Sequence, residues 1–253
     1  MQWNWPCETG EKYDVPWKSY RRMPKWQGRC AIEQRLIKYP STKHLPWSPG
    51  VSREDKVLKD TKHFEGRMVV VTEKMDGENT TMGKDFIHAR SLSSGTHPSR
   101  TWVNTLHAEI KHEIPTNLRI CGENLFAKHS IFYPQLTSYF QVFSIWEENT
   151  CLSWQDTEEF CQLLGLKTVP VLLGNRAVSF NEDFFRFPAN ILTYRVEYTL
   201  TGYDMEGYVI RNKDSFAFED FDKNVAKFVR ANHVQTDEHW MTQQIVKNQL
   251  CSY

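Results

Sequence analysis

The 253-residue sequence predicts an α+β domain with mainly antiparallel sheets flanked by helices. Three observations carry that expectation. Segments rich in β-branched and aromatic residues recur at strand length, among them Met68-Val69-Val70-Val71-Thr72-Glu73 and Ser138-Tyr139-Phe140-Gln141-Val142-Phe143-Ser144-Ile145-Trp146, a composition that suits a pleated, half-buried surface. Helix-period segments are few and fall irregularly between them, without the regular strand–helix alternation of a parallel sheet. With 40% hydrophobic residues, the chain can bury one substantial core.

Residues 1–66 are dense in Trp, Lys and Arg, with proline at 6, 16, 24, 40, 46 and 49 and little periodicity. They read as an irregular extension packed on a main domain of residues 67–253, with a short helix near 30–38. The first strand, 68–73, delivers Lys74 to a turn-forming Asp76-Gly77, and a second strand follows at 79–90. Over 101–113, Trp102, Val103, Leu106 and Ile110 recur at helical spacing until Pro115 ends the helix. Strands follow at 118–124 and 138–146. Ser153 opens a helix that carries Asp156, Glu158 and Glu159 near its start and runs to Leu164, ahead of Gly165. Two further strands are expected at 205–211 and 224–230. There is no internal repeat and no low-complexity tract.

Lys plus Arg and Asp plus Glu number 31 each, for a formal net charge of zero. No overall positive field announces a nucleic-acid partner, so a polynucleotide would need a local basic patch. The six cysteines (Cys7, Cys30, Cys121, Cys151, Cys161 and Cys251) form no CxxC pair, so reduced thiols, a cytoplasmic setting and no structural zinc are expected. The first residues lack a basic stretch leading into an apolar one, and no apolar run approaches the roughly 20 residues of a membrane span.

Chemistry concentrates first in Glu73-Lys74-Met75-Asp76-Gly77-Glu78-Asn79. A lysine at the end of a rigid strand is a candidate nucleophile, and burial or a neighbouring cation would lower its pKa and free the amine. Taken alone, the same residues also describe the end of an ordinary hairpin strand. Five later segments alter that balance: His88-Ala89-Arg90-Ser91, Cys121-Gly122-Glu123-Asn124, Phe140-Gln141-Val142-Phe143-Ser144-Ile145, Met205-Glu206-Gly207-Tyr208-Val209-Ile210-Arg211 and Val225-Ala226-Lys227-Phe228-Val229-Arg230. With Lys74-x-Asp76-Gly77 at their head and in this order, they resemble the covalent nucleotidyltransferase superfamily of polynucleotide ligases and mRNA capping enzymes. Glu73 and Asn79 make the chain most similar to ATP-dependent RNA ligases, especially nick-sealing phage enzymes and their bacterial relatives. Ile37 to Leu45 is also similar to the bacterial proteins.

The resemblance implies an ATP-grasp-like adenylation domain in which Lys74 attacks the α-phosphorus of ATP and becomes lysyl-AMP. It places Glu73 beside the adenine through its backbone, Asn79 near the phosphate, Arg90 and Glu123 on the ribose, Phe143 stacked on the base and Lys227 on the α-phosphate. Phe140 and Trp146 are alternatives for the stacking ring. Glu206 is the implied ligand for Mg2+, with Mn2+ as an alternative, because such ions favour hard oxygen donors. Asp76 shapes the turn. The chain departs from the phage pattern at two points: Val225 and Val229 flank Lys227 where a second lysine is usual, leaving Lys223 or Arg230 as substitutes, and Ser144 stands where an acid usually follows the aromatic.

RNA, as a nicked duplex or an RNA/DNA hybrid, is the implied partner. His97, Arg100, Lys128 and Arg230 are candidate contacts for its phosphates, since phosphates supply most polynucleotide affinity. Only 253 − 227 = 26 residues follow Lys227, too few for an oligonucleotide-binding barrel, so no C-terminal OB barrel is expected. Either residues 1–66 or an accessory end-processing or nucleic-acid-binding protein would then help hold the substrate. Alternatives are a DNA-nick or mixed polynucleotide ligase, a GTP-using guanylyltransferase, and a non-catalytic nucleic-acid-binding module.

Overall fold

The computed structural model describes residues 36–173, 177–187, 191, 205–231 and 244–251. Two sheets organise them. The first runs in the order β1 (Lys43–His44), β12 (Val225–Val229), β10 (Gly207–Asn212), β2 (Met68–Lys74) and β9 (Val178–Ser179). The second runs β11 (Phe216–Ala217), β7 (Thr150–Cys151), β6 (Phe140–Glu147), β5 (Leu118–Asn124), β3 (Glu78–Gly83) and β4 (Ile87–Ala89), with β8 (Lys167–Thr168) on β6. Pairing is antiparallel except at β1–β12 and β6–β8, so the α+β expectation holds. Among the described residues neither sheet closes into a barrel.

Strand β2 is buried along almost its whole length, which explains a run of valines where a half-exposed strand would alternate with polar residues. Its neighbours build one core cluster around Val69, Val71, Tyr208, Ile210 and Phe228. A second cluster lies under the other sheet, where Val103 of α1 (Thr101–Ile110) and Cys161 of α2 (Trp154–Leu163) meet Ile120, Val142 and Ile145. Ser153 caps α2 by accepting the Asp156 N–H at 3.1 Å, satisfying one of the donors that a helix start leaves unpaired. Two short helices, α3 (Glu182–Phe185) and α4 (Phe221–Asn224), complete the set.

The Asp76-Gly77 turn differs from the hairpin that its local sequence suggests. Lys74 pairs with Gly207 in the first sheet, whereas Glu78 pairs with Asn124 in the second. Residues 75–77 therefore carry the chain from one sheet to the other. The crossing is close: a Cβ on Gly77 would lie 2.6 Å from the Asn124 carbonyl oxygen and 3.0 Å from Glu123 Cγ. The single strand expected over 79–90 is two, β3 and β4, paired with each other.

Residues 36–38 are not helical, and the rest of the helix expected near 30–38 lies outside the described residues. Within the stretch read as an extension, β1 joins the first sheet, with His44 opposite Lys227. No described helix is long and apolar enough to cross a membrane.

Candidate active site

The two sheets converge on a cavity of about 220 Å³ whose wall includes Glu73, Lys74, Asn79, Arg90, Glu123, Phe143 and Lys227. The first sheet supplies the nucleophile candidate from β2 and Lys227 from β12, while the second supplies Asn79 from β3, Glu123 from β5 and Phe143 from β6. Arg90 follows β4; its backbone N–H donates to the Asn79 carbonyl at 2.8 Å, and its Nε donates to the Tyr39 carbonyl at 3.3 Å. Segments scattered over more than 150 residues of sequence thus face one space.

Lys74 Nζ lies 2.6 Å from Glu206 Oε2, with the Lys74 side chain 26% exposed and that of Glu206 5%. Burial works to lower the Lys74 pKa, but the Glu206, Glu123 and Asp76 carboxylates outweigh it and hold the amine above the ordinary lysine range. This is opposite to the lowering anticipated from the sequence, because the strand end meets carboxylates where apolar groups or a cation were expected. Glu123 responds the other way: burial, reinforced by Glu206 and Asp76 and opposed by Lys74, pushes its carboxyl up to about 8. The amide oxygen of Asn79 is buried without a hydrogen-bond partner, an arrangement suited to a donor that arrives with a ligand.

Lys227 is held by Asp55, whose Oδ1 accepts from Nζ at 3.2 Å. Burial, then the charge of Lys74, lower the Lys227 pKa, and Asp55 pulls it back. The other Asp55 oxygen accepts from the Ser52 N–H at 3.0 Å and hydroxyl at 2.7 Å. Against the cost of its own burial, these bonds and Lys227 hold Asp55 well below the usual carboxylate range.

Among the three candidate stacking rings, Phe140 and Trp146 are fully buried in the core. Phe143 reaches the cavity, packed edge-on against Tyr39 at 5.0 Å between ring centroids. Asp76 accepts at Oδ2 from the backbone N–H groups of Ser130 and Ile131, at 2.7 and 2.8 Å, in keeping with a turn-shaping role. Among the described residues no three His, Cys, Asp or Glu side chains gather into a preassembled metal cage.

The candidate polynucleotide contacts are dispersed, and none of them lines the cavity. Arg100 makes a two-pronged pair with Glu78, through Nε at 2.7 Å and a terminal nitrogen. Nδ1 of His97 lies 2.7 Å from the Ser99 hydroxyl, Arg230 Nε donates to the Met205 carbonyl at 2.8 Å, and Lys128 is exposed. Lys223 pairs with Asp220 at 2.7 Å on the surface. Neither substitute for a second cation beside Lys227 therefore enters the cavity.

Tyr39, Asp55 and Arg211 complete the site without having been assigned roles from sequence. Arg211 is 4% exposed, lines the cavity and donates to the Phe143 and Leu152 carbonyls at 3.3 and 2.7 Å. Its place within β10, at the end of the Met205–Arg211 segment, was the available signal.

Comparison with known proteins bears on the fold and the family. The structure is similar to an archaeal ATP-dependent RNA ligase, with a TM-score of 0.50 and 16% identity over 79% of this chain and 50% of that one. A Naegleria gruberi RNA ligase mutant solved with ATP and Mn gives a TM-score of 0.48 at 16% identity, covering 79% and 62%. The chain thus spans about half the length of the first and less than two thirds of the second. No curated protein matches. The family model described as RNA ligase matches residues 67–229, a span that contains the whole ordered series from Lys74 to Lys227. The chain belongs to the RNA ligase family.

Proposed function

We propose that this protein is an ATP-dependent RNA ligase that seals 5′-phosphate and 3′-hydroxyl ends through a lysyl-AMP intermediate. The observation that carries the reading is the convergence of Lys74, Asn79, Arg90, Glu123, Phe143 and Lys227 on one cavity. Lys74 Nζ forms a bond to the α-phosphorus of ATP as the bond to the β-phosphate oxygen breaks and pyrophosphate leaves. The ammonium must first shed a proton, and the Glu206 carboxylate at 2.6 Å is the adjacent acceptor. Lys227 offsets negative charge gathering on the α-phosphate, the kind of preorganised electrostatics that dominates phosphoryl transfer. Phe143 supports the adenine, and Arg90 and Glu123 hold the ribose. The AMP then passes to the RNA 5′-phosphate, and the 3′-hydroxyl displaces it. Each bond exchange is easier than direct joining.

Glu206 offers a hard carboxylate oxygen beside Lys74 that would suit Mg2+, or Mn2+ in its place; the ion would supply charge neutralisation on the phosphates. The partner is RNA, as a nicked duplex or an RNA/DNA hybrid, with an accessory protein helping to hold it and the cytoplasm as the setting. Intact mass after incubation with ATP and Mg2+ tests the reading. Wild type, pretreated with pyrophosphate to strip bound AMP, should gain one AMP and Lys74→Ala none. Folded wild type that gains no AMP refutes it. A panel of nicked RNA, nicked DNA and single strands then defines the acceptor.

A further inference from the structure

We infer that the segment 244–251 positions the Lys74 turn, acting through Asn248, Tyr133 and Asp76. The inference rests on the catalytic reading of Lys74. The segment lies along residues 126–136 through bridges between Ala127 and Lys247 and between Leu136 and Leu250. Asn248 is 1% exposed and uses every polar group it has. Its side-chain oxygen accepts from the Tyr133 N–H at 2.9 Å, its side-chain nitrogen donates to the Leu125 carbonyl at 2.8 Å, and its backbone N–H donates to the Phe126 carbonyl at 3.1 Å. The Tyr139 hydroxyl donates to its carbonyl at 3.0 Å.

The loop so fixed holds the turn in its own grip. The Tyr133 hydroxyl accepts the Asp76 N–H at 2.8 Å, and the Ser130 and Ile131 amides hold the Asp76 carboxylate. Tyr133 is 1% exposed and shares a core cluster with Met75, the residue after Lys74. The turn has no hairpin partner strand to set its shape, since β2 and β3 belong to different sheets. Its geometry is set from outside, and Asn248 is the far end of the chain of bonds that sets it. An attacking amine must lie in line with the bond that breaks, where an error of about 1 Å can cost a hundredfold.

Asn248 and Tyr133 are thus positioning residues for the attack and should leave nucleotide binding alone. Tyr133→Phe removes one hydroxyl and keeps the ring, so the fold is retained; Asn248→Ala removes the outer anchor. For both, the first-turnover rate of AMP attachment at saturating ATP should fall about tenfold, with the KM for ATP within about twofold of wild type. Amide exchange at Asp76, read without ATP, should accelerate about tenfold. An unchanged rate and exchange in Tyr133→Phe overturns the inference, as does a rise in KM with the rate retained. Should wild type itself accept no AMP, the catalytic reading fails, and exchange at Asp76 still decides whether the segment holds the turn.

Discussion

At the scale of single residues, the site is set by which charges share its cavity. Glu123 illustrates this, because its folded pKa of about 8 lies well above the ordinary 4.5. The folded protein therefore keeps a proton that the unfolded chain releases. The stability linked to this group is complete below the ordinary value and is lost as pH rises between the two. The urea midpoint of wild type should accordingly fall relative to that of Glu123→Gln as pH rises from about 5 to 8. The aromatic assignment separates just as cleanly. Phe143→Ala should raise the KM for ATP about tenfold, because stacking on one base is worth about 1–3 kcal/mol, and should lower Tm less than loss of a fully buried ring, because Phe143 is only partly buried. Trp146→Ala should instead cost about 3–5 kcal/mol, as a fully buried ring does, which thermal unfolding will register. Much of the site was legible from the sequence because Lys74, Glu123, Glu206 and Lys227 each sit within a short, recognisable string. Asp55 was not, because its partner Lys227 is 172 residues away and no local pattern announces the pair. The pKa direction of Lys74 was missed for the same reason: its neighbours in space are carboxylates from other elements.

At the scale of elements, the strands and helices were legible wherever composition and period agreed, as in β2, β5, α1 and α2. Beside the strand expected over 79–90, which is two, and residues 36–38, which are not helical, the turn after Lys74 departs from its local reading. An Asp-Gly dipeptide signals a tight reversal equally well for a hairpin and for a passage between sheets, and only the pairing of Lys74 with Gly207 and Glu78 with Asn124 decides between them. Both glycines in these motifs are required by close approach. A Cβ at Gly207 would lie 1.9 Å from the Phe228 carbonyl oxygen, against 2.6 Å for the nearest backbone atom to one at Gly77. Gly77→Ala should therefore destabilise by about 1–3 kcal/mol, in the range of other overpacking changes, and Gly207→Ala by more. Denaturant unfolding of the two variants side by side checks the order. A smaller cost at Gly207 than at Gly77 would contradict the strand register.

At the scale of the whole molecule, a formal charge of zero would leave the proposed polynucleotide binding to a few local cations. Sealing and self-adenylylation should then part company in salt. Strand affinity falls with a log–log slope of about −0.7 to −0.9 per phosphate neutralised, whereas the proposed attachment of AMP to Lys74 would take place inside a cavity. Raising the salt concentration should suppress strand joining while AMP attachment, followed by mass, changes little. Equal loss of both would show that salt acts on the fold or on nucleotide entry.

The division of the cavity between two sheets has a kinetic meaning. On the proposed reading, AMP attached to Lys74 on the first sheet would meet the groups of the second sheet as a tethered guest, at an effective concentration that free nucleotide in solution does not reach. Weak holding by Phe143, Arg90 and Glu123 would then be sufficient, and weak holding would let the AMP leave for the RNA end.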